Sequence, residues 1–295
     1  MSLRVATVSD LHTDFAENRE LVVQLATEIH AKQADLVIVA GDISHEDERI
    51  ERTLRAFLAV APKVAYVPGN HDLWTHVEDL HAKAEIDTWD RYRVRLKEIA
   101  EKAGAYYLPS APLVIGDVGF AGTAGWYDYS FAEPWVLDQL GADAFLSKRY
   151  GVFQWTDALL VAFRAAPGAT GLMTDPEVAA RMEAELEAGL LALESNPAVR
   201  TVVAVTHHQP FKEVVHRSGS LPWEFFCAFM GSAGLGERIL RYPKVSTAVY
   251  GHSHIIGERQ IGGRRVYGTA LGYPRERRGL SVPDIVRTRI GWMEL

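Results

Sequence analysis

The sequence predicts an α/β fold built on a parallel sheet, with a ligand site at the carboxyl edge of its strands. Three observations predict it. First, short apolar runs of β-formers recur: Arg4–Ser9 (RVATVS), Leu36–Ala40 (LVIVA), Val64–Val67 (VAYV), Thr201–Val205 (TVVAV) and Thr247–Tyr250 (TAVY). Runs of this length read as strands buried on both faces. Second, the first three runs are separated by stretches with helical spacing of apolar residues, which makes a pair of βαβ units. Third, each run leads into a short polar motif. These are Asp10-Leu11-His12, Gly41-Asp42, Gly69-Asn70-His71-Asp72 (after one proline), Thr206-His207-His208 and Gly251-His252-Ser253-His254. Polar side chains released just past parallel strands fall in the crevice where open α/β sheets bind ligands. The chain thus brings Asp, Asn and His groups from five places to one edge.

The elements follow in order. Glu17–Gln33 reads as the first crossover helix and Glu46–Val60 as the second. Asp87–Ala103 predicts a charged amphipathic helix with Trp89, Tyr92, Leu96 and Ile99 on its apolar side. Leu113–Gly122 predicts a hairpin about a Gly116-Asp117 turn. Gly125–Gly171 is the least regular stretch and is dense in aromatics. It reads as core more than as a substrate platform, with a cap-like insertion over about 125–171 as the other reading. Asp175-Pro176 opens a helix to about Glu194, with Asp as N-cap and Pro as first helical residue. Ile256–Ile261 and Arg264–Tyr267 flank Gly262-Gly263, a two-residue hairpin signal. The tail from Gly279 reads as a last strand or strap. The domain reading adopted is one domain over 1–295.

Composition narrows the function classes. The chain has 295 residues, 48% hydrophobic and 23% charged, ample for a sizeable core. Thirty-one basic against 38 acidic residues leave a net charge of -7, which argues against broad binding to nucleic acid. A single cysteine allows no intrachain disulfide, and the first residues read as a strand instead of a signal peptide, so a cytoplasmic location is expected. No apolar run reaches the roughly 18 residues of a membrane span. Cys227, in WEFFCAFM, reads as a small buried packing residue.

Taken together and in this order, D-x-H, G-D, G-N-H-D, a strand-end His pair and G-H-x-H resemble the signature of the calcineurin-like metallophosphoesterases. The match spans Asp10 to His254; the region from Leu73 to Val199 carries no motif of it. The resemblance implies a four-layer α/β/β/α sandwich of two mixed sheets, with a dinuclear metal site at the C-terminal edge of the strands. It implies two metal ions, Mn, Fe or Zn, since carboxylate, imidazole and amide oxygen suit these and no thiolate is present. One ion takes Asp10, His12 and His254; the other takes Asn70, a His of the 207–208 pair and His252; Asp42 bridges. His207 is favoured over His208 because it directly follows the strand. A shared hydroxide would attack the ester, and the two ions would clamp the phosphoryl group. His71 is the expected non-ligand catalytic histidine, oriented by Asp72 through a hydrogen bond to its other ring nitrogen. The two-residue spacing of Asp10 and His12, and of His252 and His254, is read as extended backbone with alternate side chains facing one way. Gly41 and Gly69 would let backbone pass close to the ions.

Each motif also has an ordinary reading. A single His after a strand is usually a polar loop cap. His30, His45, His76, His81 and His216 are read as surface or helix residues, and Arg275, Arg277, Arg278 and Lys148-Arg149 as solvated clusters. Trp126, Tyr127 and Trp155 are the candidates for stacking on a substrate. The expected activity is metal-dependent hydrolysis of a small phosphate ester, monoester or diester. The alternatives are a nuclease of the same fold and a non-catalytic metal-binding scaffold. The expected partner is a small phosphorylated substrate, with no membrane and no nucleic-acid polymer; the oligomeric state is left open.

Overall fold

A computed structural model describes residues 2–75 and 86–295; His76 and His81 lie outside these residues. The strands in chain order are β1 (Arg4–Val8), β2 (Leu36–Ala40), β3 (Lys63–Val67), β4 (Tyr106–Tyr107), β5 (Leu113–Ile115), β6 (Val118–Thr123), β7 (Arg149–Tyr150), β8 (Phe153–Gln154), β9 (Thr201–Thr206), β10 (Val245–Tyr250), β11 (Gly257–Ile261), β12 (Arg264–Gly268) and β13 (Gly291–Glu294). One sheet runs β13-β1-β2-β3-β4 and the other β11-β12-β10-β9-β6-β5, with β7-β8 a small separate ribbon. Both are mixed. The inner pairs are parallel, while β13, β5 and β11 join their neighbours antiparallel.

Period-2 alternation explains why the strand runs are apolar throughout. In β2, Leu36, Ile38 and Ala40 face the space between the sheets, where they meet Val203 and Val205 of β9 and Val249 of β10. Val37 and Val39 face the other way, onto Leu25 and Ile29 of the helix Ala16–Ala31 and Leu54 of the helix Asp47–Leu58. In β9, Val202 and Ala204 meet Leu186 and Leu190 of the helix Asp175–Glu194. Both faces of each sheet are therefore covered, and the layers stack α/β/β/α.

Most expected elements appear within a few residues. The stretch Asp87–Ala103 is helical from Thr88 to Ala103 but passes through a π turn at Arg91–Arg95. The helix expected to be capped by Asp175 is capped by Thr174, whose hydroxyl and amide both meet Glu177. This frees the Asp175 carboxylate to accept from Trp126 Nε1 at 2.8 Å and from the Tyr129 hydroxyl. The tail holds a helix, Val282–Arg289, that was not anticipated, before β13 pairs with β1.

The aromatic segment packs as core. Trp126, Tyr127, Phe131 and Phe145 are at most 1% exposed. Trp126 and Tyr127 are thus excluded as stacking platforms, whereas Trp155 lines a cavity beside the polar motifs. Two expected surface cations are also internal. Lys148 pairs with Asp175 at 2.8 Å, and Arg277 is buried, donating to Leu271 O and Asn18 Oδ1. Among the described residues, no helix is long and apolar enough to cross a membrane.

Candidate metal centre

All five polar motifs meet at the C-terminal edges of β1, β2, β9 and β10 and the turn after β3. Asp10, His12 and His254 offer ligand atoms within 4.8 Å of one another, as do Asp42, His207 and His252. Asp42 belongs also to a group with His12 and His71, so it lies between the two sets. Asn70 joins the second set: its Oδ1 is 3.2 Å from His207 Nε2 and 3.0 Å from His252 Nδ1. Asp10, His12, Asp42, Asn70 and His207 are at most 2% exposed.

The hydrogen bonds on the far side of each ring show what the near side offers. His207 Nδ1 meets the Ala40 carbonyl at 2.9 Å, and His252 Nε2 meets the Phe229 carbonyl at 3.2 Å. Carbonyls only accept, so both nitrogens carry the proton. In the neutral rings, His207 Nε2 and His252 Nδ1 then aim lone pairs at Asn70 Oδ1, and His207 Nε2 also lies 3.4 Å from Asp42 Oδ1. His254 repeats the pattern: Nδ1 donates to Glu276 at 2.8 Å, while Nε2 faces His12 Nε2 at 3.0 Å and Asp10 at 3.5 Å. Lone pairs converging on lone pairs in a buried place are repulsive until a cation sits between them. The donor set fits metal ions, and the carbonyls and Glu276 fix the ring tautomers.

The electrostatics agree. Burial pushes His12 and His252 down to about 3, so both are neutral, as a ligand must be. Burial acts the same way on His207 and His254, but Asp42 lifts the first to about 9, and Asp10 with Glu276 lifts the second to about 10. Without a cation, Asp42 and Asp10 are met by protons on these two rings, and a bound metal ion would take the place of those protons. His208 is equally buried but belongs to neither ligand group; Nδ1 lies 3.3 Å from the Ala124 carbonyl and its ring packs on Trp126 and His252.

His71 lies at the rim, with Nε2 3.8 Å from Asp42 Oδ2. Its ring stacks on Trp74, centroids 3.6 Å apart, and Nε2 reaches the Tyr273 hydroxyl at 3.4 Å. Asp72 does not orient it. Both Asp72 oxygens accept from backbone amides: Asp42 and Gly69 on Oδ2, Ile43 and Ser44 on Oδ1, all at 2.8–2.9 Å. The turn that carries His71 curls its next residue back under the Gly41-Asp42 loop, which puts four donors around Asp72. The extended-backbone account of the motif spacing also fails. Asp10, His12, Asp42, His252 and His254 have φ of 51°, 41°, 56°, 71° and 57°. These are left-handed values that few non-glycine residues adopt. Glycine is required beside them: a Cβ on Gly41 or Gly69 would strike His207 or Asp42.

Two cavities flank the cluster. One, of about 470 Å³, runs under Asn70, His71 and His252 to walls of Trp155, Trp223, Phe226 and Met230. The other, of about 680 Å³, is lined by His12, Phe15, Asp14, Glu17, His45 and Arg278. His71, Trp74, Thr156, Tyr273 and Arg275 line both. His216 belongs to the first wall, and His45 pairs with Asp14 at 3.2 Å in the second. Glu276, Tyr273 and Asp157 are site residues that no sequence motif marked.

The family model for calcineurin-like phosphoesterases matches residues 3–255. An [acyl-carrier-protein] phosphodiesterase, PptH, of Mycobacterium tuberculosis is 26% identical over 277 residues, 91% of this chain and 78% of that protein. The crystal structure of the phosphopantetheinyl hydrolase PptH from the same organism superposes with a TM-score of 0.75 at 23% identity, covering 100% of this chain and 96% of that one. A dimetal phosphatase from Danio rerio gives a TM-score of 0.48 at 12% identity, over 91% and 87% of the two chains. With the fold, the clustered ligands and a family match over most of its length, the chain belongs to the calcineurin-like phosphoesterases and is a metal-dependent hydrolase of phosphate esters.

Proposed function

We propose that the chain is a phosphodiesterase with two metal positions, acting on a diester that carries one long, partly apolar arm of phosphopantetheine type. The observation that carries this reading is the pair of cavities meeting over the cluster. A phosphodiester has two substituents on phosphorus, and a monoester needs room for only one. The first cavity, walled by Trp155, Trp223, Phe226 and Met230 with Gln209 and Ser253 as polar points, suits a chain of methylenes and amides. The second, with Asp14, Glu17, His45 and Arg278, suits a polar alcohol, whether a small molecule or a serine of a carrier protein. The likeness to a carrier-protein phosphodiesterase supports the same choice.

In this reading Asp10, His12 and His254 would hold one ion and Asn70, His207 and His252 the other, with Asp42 placed to serve both. Bound Mn, Fe or Zn would supply a nucleophile at neutral pH and positive charge for the phosphoryl oxygens. The lone cysteine, Cys227, lies in the cavity wall and not in this set. His71, its ring stacked on Trp74, would hydrogen-bond the substrate phosphate or protonate the leaving oxygen; burial holds its pKa below the ordinary histidine value, so proton transfer from it would draw on the charge that substrate brings. Residues 125–171 belong to the one domain and supply Trp155 and Asp157 to the site.

The test is turnover by manganese-loaded protein. It compares p-nitrophenyl phosphate, methyl p-nitrophenyl phosphate, a small phosphopantetheine diester and the same ester on a carrier protein. Diesters should exceed the monoester in kcat/KM. Trp223→Ala removes an exposed wall side chain; losing part of an aromatic contact, roughly 1.4 kcal/mol, should cost the pantetheine esters about tenfold and spare the methyl ester. Preference for the monoester, or equal losses on all diesters, would overturn the assignment.

A further inference from the structure

We infer that Asp157 is a positioning residue that decides which end of the Asn70 amide faces the metal cluster and how Trp74 lies over His71. It rests on the reading of Asn70 as a ligand. Asp157 opens the short helix Asp157–Leu160 inside the aromatic segment and is fully buried. Its carboxylate offers about four acceptor positions, and four donors occupy them. Oδ1 accepts from Asn70 Nδ2 at 3.0 Å and Trp74 Nε1 at 2.7 Å; Oδ2 accepts from the Tyr127 hydroxyl at 3.2 Å and Trp155 Nε1 at 2.8 Å.

The chemistry of the acceptor carries the argument. A primary amide can turn over and exchange its oxygen for its nitrogen. An ionised carboxylate only accepts, so it can hold only the NH2 end. Asp157 therefore sends Asn70 Oδ1 toward His207 and His252, where a lone pair is needed. Turned over, the amide would present N–H groups to a cation. The same Oδ1 holds the Trp74 indole, and that ring lies on His71. One carboxylate from outside the motifs thus orients both a proposed ligand and the ring packed on the proposed acid.

Asp157→Asn keeps the shape but can donate to Asn70 Oδ1, which permits turnover. Calorimetric titration of metal-free protein with Mn²⁺ reads the effect. Wild type should bind two ions. The variant should keep one and bind the other about 10–100-fold more weakly, the usual cost of losing an outer partner of a ligand. Its kcat should fall and recover in part as Mn²⁺ is raised, with KM for substrate little changed. The exchanged pair Asn70→Asp with Asp157→Asn restores a donor facing an acceptor, and should bind the second ion more tightly than either Asp157→Asn or Asn70→Asp alone, the latter setting the effect of the added charge. Near-UV circular dichroism reports folding. If Asp157→Asn does not fold, an exchanged pair that folds and binds two ions supports the inference, and one that also fails overturns it. Two wild-type affinities in Asp157→Asn, or an exchanged pair no better than either single variant, would overturn it as well. Fewer than two ions in wild type would instead sink the two-metal reading, and this inference with it.

Discussion

Replacing Asp72 by asparagine separates two roles for this residue: orienting His71, as the resemblance implies, or clamping the Asp42, Ile43, Ser44 and Gly69 backbone, as its hydrogen bonds suggest. Asp72 is fully buried and its four hydrogen bonds all go to backbone amides. Asparagine has the same outline, but one oxygen becomes an NH2. Whichever way it turns, two amides then face a donor, either Asp42 and Gly69 or Ile43 and Ser44. A buried donor without a partner costs about 1–3 kcal/mol, so the pair costs about 2–6 kcal/mol. That is a large part of the roughly 5–15 kcal/mol that holds a native protein together.

The assay is urea unfolding of metal-free protein at pH 8.5. Burial and the neighbouring Asp42 push the Asp72 carboxyl up to about 7, so at pH 8.5 wild type holds the charged form that the amides favour. The midpoint should fall at an unchanged m-value, by less than the amount above, because the variant no longer buries the charge that raises the Asp72 pKa. Metal affinity should fall at both positions, because the Asp42 amide is one of the four donors. If the variant unfolds within about 1 kcal/mol of wild type, binds both ions and loses only kcat, the clamp argument is wrong and Asp72 serves His71 after all.

Other substitutions probe separate parts. His71→Ala should keep both ions by metal analysis and lower kcat about 10²–10⁴-fold, less with a good leaving group; loss of an ion would make His71 a ligand. Asp42→Asn should weaken both ions, since Asp42 groups with ligands on either side, and an effect on one ion alone would remove its bridging role. Burial opposes charge on Asp47, but Arg91 and Arg95 outweigh it and hold the carboxyl below its ordinary value. Its folded pKa is depressed, so its stabilisation is present above the unfolded value near 3.9 and is lost as pH falls through the folded pKa. The stability gap between wild type and Asp47→Asn should thus close in strong acid, and a gap constant from pH 7 to pH 2 would count against the ion pairs. Burial pushes the Cys227 thiol up to about 12, so alkylation at pH 8 should be far slower than for a free thiol; rapid labelling of the native protein would contradict its packing role.

The leading βαβ units and the meeting of the polar motifs at one edge were legible because both rest on local pattern, whereas the two-sheet layering followed only from the family resemblance. A run such as Leu36–Ala40 must bury both faces, and whatever follows it must emerge at the sheet edge. Side-chain partnerships across the chain left no such trace. Asp157 meets Asn70 from 87 residues away, and Glu276 meets His254 across an irregular loop. Trp126 and Tyr127 read as core more than as platform, and the helix Asp175–Glu194 supplies what local pattern could not show, Asp175 as partner for the Trp126 indole. Arg277 looked solvated because its acceptors are mainly backbone carbonyls of the chain before it, which composition cannot reveal.

The left-handed backbone at five candidate ligands ties these points together. A non-glycine residue in that region costs roughly 1–2 kcal/mol, and the cost recurs at Asp10, His12, Asp42, His252 and His254. Strain of this kind persists only where the surroundings over-determine it. Here the loops after β1 and β2 are zipped together by amides: Asp10 to Gly41 O, His12 to Asp42 O and Thr13 to Ile43 O, at 2.8–2.9 Å. The second loop is pinned in turn by Asp72, and the His252 amide donates to Asp10 Oδ1. Backbone amides held by loop carbonyls and by the carboxylates of Asp72, Asp10 and Asp42 thus set where the imidazoles stand. Cutting back one candidate histidine ligand should therefore leave the cradle in place, whereas removing the Asp72 clamp should release strain at several positions together. That difference is why a residue that touches neither substrate nor ion, on this geometry, should be among the least replaceable in the site.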